Sequence, residues 1–362
     1  MLGQLIVEAT SISACALKSL NSNPGRRGVV HDVHRRALNI LWDSELISVV
    51  SPELGSFPNA LVARVDRLAE LLRVGDKVFR VSEGLIVQGA APVLFDLRQA
   101  ACWSPILKPA APADGWGAVG MRLKFVLRGA GARAGAEGFG PLLAALALGS
   151  APLTPESLSP LCRYARGKIT ALLRALAASD ARRLIRCVRA LIGLGAGLTP
   201  SGDDLLVGML AGLAAAADAR AVILARAILA TPPNRTTILA QTLLRHACEF
   251  EFSARLHDVV SAFFAPDPYT LERRALAAVA WGESSGADSL LGLALGLDAA
   301  VERRCQGTRL GFDMEQAFHF KRRSRRSKDD REELTSGNAR AVFDENAKRA
   351  DSNVTRAAHS FR

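Results

Sequence analysis

One pattern limits what this chain can fold into more than any other. Ser201-Gly202-x-Asp204-x-Leu206-x-Gly208-x-x-x-Gly212-Leu213 recurs 84 residues later as Ser285-Gly286-x-Asp288-x-Leu290-x-Gly292-x-x-x-Gly296-Leu297, with seven identities in register. The Gly-x-x-x-Gly spacing puts both glycines of each copy on one helix face. A glycine inside a helix costs about 1 kcal/mol relative to alanine, so four of them predict two crossing helices whose backbones touch. The matching turns predict that the helix N-termini meet. Two helix starts with free N–H groups and serine hydroxyls make a concentrated site for a small anion. A duplicated packing motif with two ordinary caps is the alternative reading of the same residues.

The first copy follows Gly193-Leu194-Gly195-Ala196-Gly197. A dinucleotide fingerprint needs a strand before its glycines. Here the helical stripe Leu184, Ile185, Val188, Leu191 and Ile192 comes first, so Gly193 is expected to stop a helix. Thr199 or Ser201 is expected to cap the next one, with Asp203 and Asp204 in its first turn offsetting the positive helix end. No phosphate loop, HExxH helix or G-x-S-x-G elbow occurs, so no metal and no cofactor is expected, and a serine hydrolase has no support.

The expected fold is α+β: an N-terminal β-rich, barrel-like unit over 1–140, a helical bundle over 141–305 carrying both motifs, and a charged, disordered tail over 306–362. An apolar fraction of 49% with 22% charged residues excludes a wholly disordered chain. Residues from about 5 to 145 read mostly as β. Val78–Val81 and Leu85–Val87 flank a hairpin turn whose Gly84 is expected at positive φ, and Leu61–Val65 and Val93–Leu97 are further strands. A helix is expected around His34–Trp42. Gly129–Gly140 reads as the domain boundary. Helices are expected over Leu142–Leu148, Pro160–Ala177, Asp180–Ile192, Leu205–Ala217, Ala219–Leu229, Thr236–Glu249, Ser253–Phe264, Leu271–Val279 and Ser289–Arg304.

The longest apolar run, Leu205–Ala217, falls short of the ~20 residues of a membrane span, and Met1–Ala16 does not read as a signal peptide. Six scattered cysteines without a CxxC pair point to reduced thiols, so a cytoplasmic location is expected. The net charge of +11 invites nucleic acid. However, the basic cluster Lys321–Lys328 is followed at once by Asp329, Asp330, Glu332 and Glu333 and lacks aromatic partners, so a solvated tail is the expectation. Arg245 and His246 interrupt an apolar helix as candidates for carboxylate binding and proton transfer; a surface charge and a satisfied buried histidine are the plain alternatives. Asn39, polar within an apolar run, reads as a helix-end hydrogen bond.

The segments Gly195–Gly208 and Glu283–Gly292, with Thr237–Phe252 between them, resemble the AllH-like family, whose namesake is a subunit of the oxamate carbamoyltransferase of anaerobic allantoin breakdown. The likeness runs from about Ala37 to Arg304. It implies carbamoyl transfer from carbamoyl phosphate to oxamate, giving oxalurate and phosphate, within a multisubunit complex with FdrA-like and AllG-like subunits. Small anionic substrates suit paired helix N-termini. Thr199, Ser201, Gly202, Ser284, Ser285 and Gly286 are accordingly expected as substrate contacts, Asp203, Asp204 and Asp288 as catalytic orienting or base groups, and Arg245 as a carboxylate partner. The second motif departs from the family pattern, with Trp281-Gly282-Glu283 where Gly-His is expected before Ser-Ser-Gly. A non-catalytic assembly subunit is the competing reading.

Overall fold

The computed structural model describes residues 4–22, 27–64, 68–148 and 158–305; the tail over 306–362 lies outside the described residues. Nine strands come first: β1 (Leu5–Ser13), β2 (Arg27–Val33), β3 (Ala37–Trp42), β4 (Glu45–Val50), β5 (Ala60–Ala63), β6 (Lys77–Arg80), β7 (Gly84–Gln88), β8 (Pro92–Asp96) and β9 (Ala101–Trp103). Eight of them close in the order β5-β4-β3-β2-β6-β7-β8-β1, because β1 pairs antiparallel with β5 on its other edge. The first half of β1 runs parallel to β8, and its last three residues take up β9. Closure removes the sheet edges, and a barrel of this size is filled by side chains. Its apolar cluster includes Ile12, Val30, Leu38, Ile40, Ile47, Leu61, Val78, Val87 and Phe95. The helix α1 (Ala14–Asn21) follows β1 directly, capped by Ser13 Oγ accepting from Ala16 N–H, and adds Ala16 and Leu20 to that cluster.

Three local expectations differ from the structure. His34–Trp42 is not a helix: Ala37–Trp42 pairs with all six residues of β4. Leu38, Ile40 and Trp42 alternate along it with period two, which serves a half-buried strand as well as their mixed spacing suggests a helix. Asn39 is polar because of cross-strand bonds rather than a helix end. It donates to Asp32 Oδ1 at 2.7 Å and accepts from Ser48 Oγ at 2.6 Å. Gly84 opens β7 and is glycine for space, not for a left-handed turn. A Cβ there would stand 1.8 Å from the Phe95 carbonyl oxygen on β8.

Past the four-residue helix α2 (Leu68–Leu71) and β9, helices take over: α3 (Trp116–Arg133), α4 (Gly140–Leu148), α5 (Pro160–Ala177), α6 (Ala181–Leu191), α7 (Ser201–Ala215), α8 (Arg220–Leu229), α9 (Ile238–Cys248), α10 (Ala254–Phe264), α11 (Pro268–Val279) and α12 (Ser285–Arg304). The change from strand to helix thus falls before Trp116, and Gly129 and Gly131 lie inside α3 rather than in a connection. Expected starts are set by side-chain caps: Ser159, Asp180, Thr237, Ser253 and Asp267 each accept from a first-turn N–H. Every residue of α7 but Val207 is buried, and α12 is buried along most of its length. A helix apolar all round belongs in a core, and the other helices wrap this pair. Among the described residues no helix is long and apolar enough to cross a membrane.

The barrel and helices join through main-chain bonds. Leu107 N–H donates to Phe250 O at 2.9 Å, Phe252 N–H to Pro105 O at 2.8 Å, and Ala254 N–H to Ser56 O at 3.0 Å. None of the six cysteines is in a disulfide.

Candidate functional site

The two motif helices are parallel and touch backbone to backbone. A Cβ on Gly208 would stand 2.0 Å from Ser289 O, and one on Gly292 would stand 2.0 Å from Leu205 O. Gly212 faces Leu293 O and Leu297 N, while Gly296 faces Met209 O. The contacts are reciprocal, Gly208 to Ser289 and Gly292 to Leu205, as an approximate two-fold along the pair requires. The likeness reaches back one element. A Cβ on Gly202 would meet Leu191 O at the end of α6, and one on Gly286 would meet Ala278 O at the end of α11. Each copy is a helix, a turn and a glycine-faced helix.

This puts the motif turns side by side, as the sequence predicts. Thr199 Oγ1 and Ser285 Oγ lie 2.8 Å apart. The hydroxyls of Ser285 and Thr199 face Asp204, and those of Ser201 and Ser284 face Asp288, so each carboxyl is met by one hydroxyl of its own copy and one of the other. Thr199, Ser201, Asp204, Ser284, Ser285 and Asp288 form one cluster. Neither Thr199 nor Ser201 is the expected cap: Pro200 is the capping residue, without a side-chain bond. The amides of Gly202 and Gly286 are not free for a ligand either, since they donate to Leu194 O and Trp281 O.

Burial dominates the electrostatics. It pushes Asp204 well above the ordinary carboxylate range, assisted by the charges of Asp288 and Asp203 and opposed by the Ser285 and Thr199 hydroxyls. Burial raises Asp288 to about 6 against hydrogen bonds from Phe139 N–H, Ser201 and Ser284. Asp203 is raised to about 7 by the same cause, but it faces elsewhere. Its Oδ2 accepts from Gly193 N–H at 3.1 Å and Thr236 Oγ1 at 2.7 Å, tying the glycine loop to the approach to α9. Gly193, at φ +76°, ends α6 as expected. In each case burial disfavours the ionised form, so these carboxyls hold their protons to higher pH than a free carboxyl does.

The two halves differ in what faces the carboxyls. At Asp288 the connection between α3 and α4 fills the space. Phe139 N–H donates to Asp288 Oδ1 at 2.6 Å, and a Cβ on Gly138 would stand 2.7 Å from both Asp288 Oδ2 and Ser201 Oγ. Asp204 instead forms part of the wall of a mainly apolar cleft, where Val207, Phe252, Leu256 and Leu293 stand with Ser289, Trp281, Arg255 and Glu251, and Phe57 and Pro58 come from the barrel side. Among the described residues Asp204 Oδ2, Asp288 Oδ2 and Trp281 Nε1, all buried, have no hydrogen-bond partner, and of these residues Asp204 and Trp281 belong to this wall. The Arg255 guanidinium lies 5.5 Å from the centre of the Trp281 ring, whose other neighbour is Phe57 at 5.7 Å. Burial lowers the Arg255 pKa. Its Nη2 donates to Glu53 O at 2.6 Å, anchoring the barrel segment that carries Phe57.

Arg245 is exposed on α9 and takes no part in the cleft wall. Arg255, Trp281 and Glu251 escaped the sequence reading. Of these only Trp281 was marked in the sequence, as part of the Trp281-Gly282-Glu283 departure before Ser284-Ser285-Gly286.

A closed eight-stranded barrel followed by helices around a duplicated glycine-helix pair, with buried carboxyls at the two motif turns, defines the chain as an α+β protein. Residues 191–297 match the family described as oxamate carbamoyltransferase subunit AllH, and residues 8–102 match the AllH family N-terminal domain. The chain belongs to the AllH family, a family of subunits of a multi-protein carbamoyltransferase. No curated protein and no solved structure matches it.

Proposed function

We propose that this chain takes part in carbamoyl transfer from carbamoyl phosphate to oxamate, and that the cleft beside Asp204 holds one of these small anions. The observation that carries the reading is that two residues of the cleft wall, Asp204 and Trp281, each hold a buried polar atom, Oδ2 and Nε1, without a partner among the described residues. A ligand that satisfies both must donate and accept hydrogen bonds, as an amide does. At the equivalent carboxyl the Phe139 N–H donates to Asp288 Oδ1 while Asp288 Oδ2, like Asp204 Oδ2, has no partner among the described residues; an amide N–H is the kind of donor this pair of carboxyls already accepts. Arg255, half-buried in the wall, suits a carboxylate or phosphate.

In the reaction the oxamate nitrogen forms a bond to the carbamoyl carbon, the bond from that carbon to the phosphate oxygen breaks, and the nitrogen gives up a proton. Asp204 in its ionised form is placed to take that proton, since a carboxyl raised toward neutrality is an effective base. The Ser285 and Thr199 hydroxyls beside it orient the amide. Arg255 and Trp281 Nε1 steady negative charge on the carbonyl oxygen or leaving phosphate. FdrA-like and AllG-like subunits complete the enzyme, which we place in the cytoplasm.

One observation favours the competing reading of an assembly subunit: the helix-start amides of Gly202 and Gly286 are spent within the turns, and the Asp288 side is filled by Gly138. Calorimetry separates the two. Carbamoyl phosphate or oxamate should bind the full chain, alone or with its partner subunits, and Asp204→Asn and Ser285→Ala should weaken that binding at least tenfold. No binding by the wild-type chain in either setting removes the ligand-holding role.

A further inference from the structure

Beside the cleft, three side chains with metal-binding chemistry converge from distant parts of the chain. Cys15 stands in the first turn of α1, His246 in the last turn of α9, and Glu251 just beyond it. Cys15 Sγ donates to Glu251 Oε1 at 2.9 Å, and His246 Nδ1 lies 2.6 Å from Glu251 Oε2. The sulfur, a ring nitrogen and a carboxylate oxygen all fall within 4.8 Å of one another.

Each side chain hangs from a fixed support. Ser13 caps α1 and also donates to Pro58 O. Glu251 pairs with Ile106 in an antiparallel bridge, and its amide donates to His246 O at 2.9 Å. The His246 and Glu251 side chains are 22% and 11% exposed, which leaves one side of the cluster open to a further ligand.

We infer that Cys15, His246 and Glu251 bind one divalent transition-metal ion of the zinc type, with three protein ligands and one open position. Sulfur and nitrogen donors disfavour magnesium and calcium, which take oxygen ligands. Tetrahedral zinc with these donors separates its ligand atoms by roughly 3.3–3.6 Å, so the two hydrogen-bonded contacts open by less than ~1 Å when an ion enters. The ion takes the place of shared protons. The Cys15 thiol proton leaves to solvent, the His246 ring proton sits on Nε2 so that Nδ1 can coordinate, and thiolate and carboxylate together neutralise the dication. Without a cation, burial and Glu251 push the Cys15 thiol up to about 12, and a bound dication reverses that preference. Glu251 also forms part of the cleft wall, so the ion lies at the edge of the ligand space. The site stands whether or not the cleft takes oxamate.

The test uses the full chain, stripped by a chelator and titrated with Co²⁺ and then Zn²⁺. We expect one Co²⁺ per chain with a thiolate-to-cobalt charge-transfer band, displacement by Zn²⁺, and release of about one proton per ion in calorimetry across buffers. Cys15→Ser and His246→Gln should abolish the band and weaken Zn²⁺ binding by more than the roughly 10–100-fold that loss of an outer-shell partner costs. Cys102→Ser, at an exposed thiol on β9, should keep both. No band, or a band unchanged in a folded Cys15→Ser chain, overturns the inference. Should either variant unfold, alkylation of the wild-type chain read by mass spectrometry decides: Zn²⁺ must protect Cys15, and equal labelling with and without Zn²⁺ overturns the site.

Discussion

Replacing Gly208 by alanine tests the backbone contact on which the whole helical half depends. The added Cβ would sit 2.0 Å from Ser289 O, and no side chain intervenes to give way. Relief requires α7 and α12 to part by at least ~1 Å, a gap that forfeits a quarter to a half of the dispersion energy of each contact along the seam. Overpacking of this kind costs about 3 kcal/mol, against a gain of about 1 kcal/mol from helix propensity, so a net loss near 2 kcal/mol is expected. At roughly 2–4 °C per kcal/mol for a chain of this size, Tm should fall by about 4–8 °C in far-UV circular dichroism. Gly292→Ala should behave alike, since its Cβ meets Leu205 O at the same distance. The double variant should lose less than the sum, because one separation relieves both clashes. Gly167 is the control: it is exposed on α5 with nothing within 4 Å of a Cβ, and alanine there should stabilise by about 0.5–1 kcal/mol. If Gly208→Ala matched that control, the two helices would not be in backbone contact.

Asp203 gives stability a pH dependence. Its folded pKa is raised from 3.8 to about 7, so the native state holds more protons than the unfolded one across that window, and stability falls as pH rises through it. Asp203→Asn should flatten the slope measured by urea unfolding across the window, removing a difference of a few kcal/mol; an unchanged slope would contradict the burial argument. Gly138→Ala adds a Cβ at φ +54° within 2.7 Å of three atoms of the motif turns, and should lower stability by about 1–3 kcal/mol, read as a lower urea midpoint. Asn39→Ala leaves Ser48 and Asp32 short of a buried partner and should cost about 1–3 kcal/mol by the same assay.

Helices with polar caps and single apolar stripes were legible because both signals are local. The duplicated glycines were more informative still, since a residue that weakens every isolated helix announces its partner. What escaped reading was set by distance. Ala37–Trp42 looks helical until β4 is placed beside it, because only the six-residue ladder distinguishes the two patterns. The glycines of α3 read as a linker, yet Gly131 packs where a Cβ would strike Ala147. Thr199 and Ser201 look like caps, and their real partners lie more than eighty residues away. Arg255, Trp281 and Glu251 become neighbours of Asp204 only through the folding of α10, α11 and the barrel segment around Phe57, so no spacing in the chain marks them.

Because main chain rests on main chain along α7 and α12, there is no side chain between them to exchange for a larger or smaller one. The seam is therefore a fixed ruler beneath the cleft, and any change in the cleft's shape falls to the side chains around it, at 57, 58, 255 and 281 and at 207, 289, 290 and 293 on the two helices themselves.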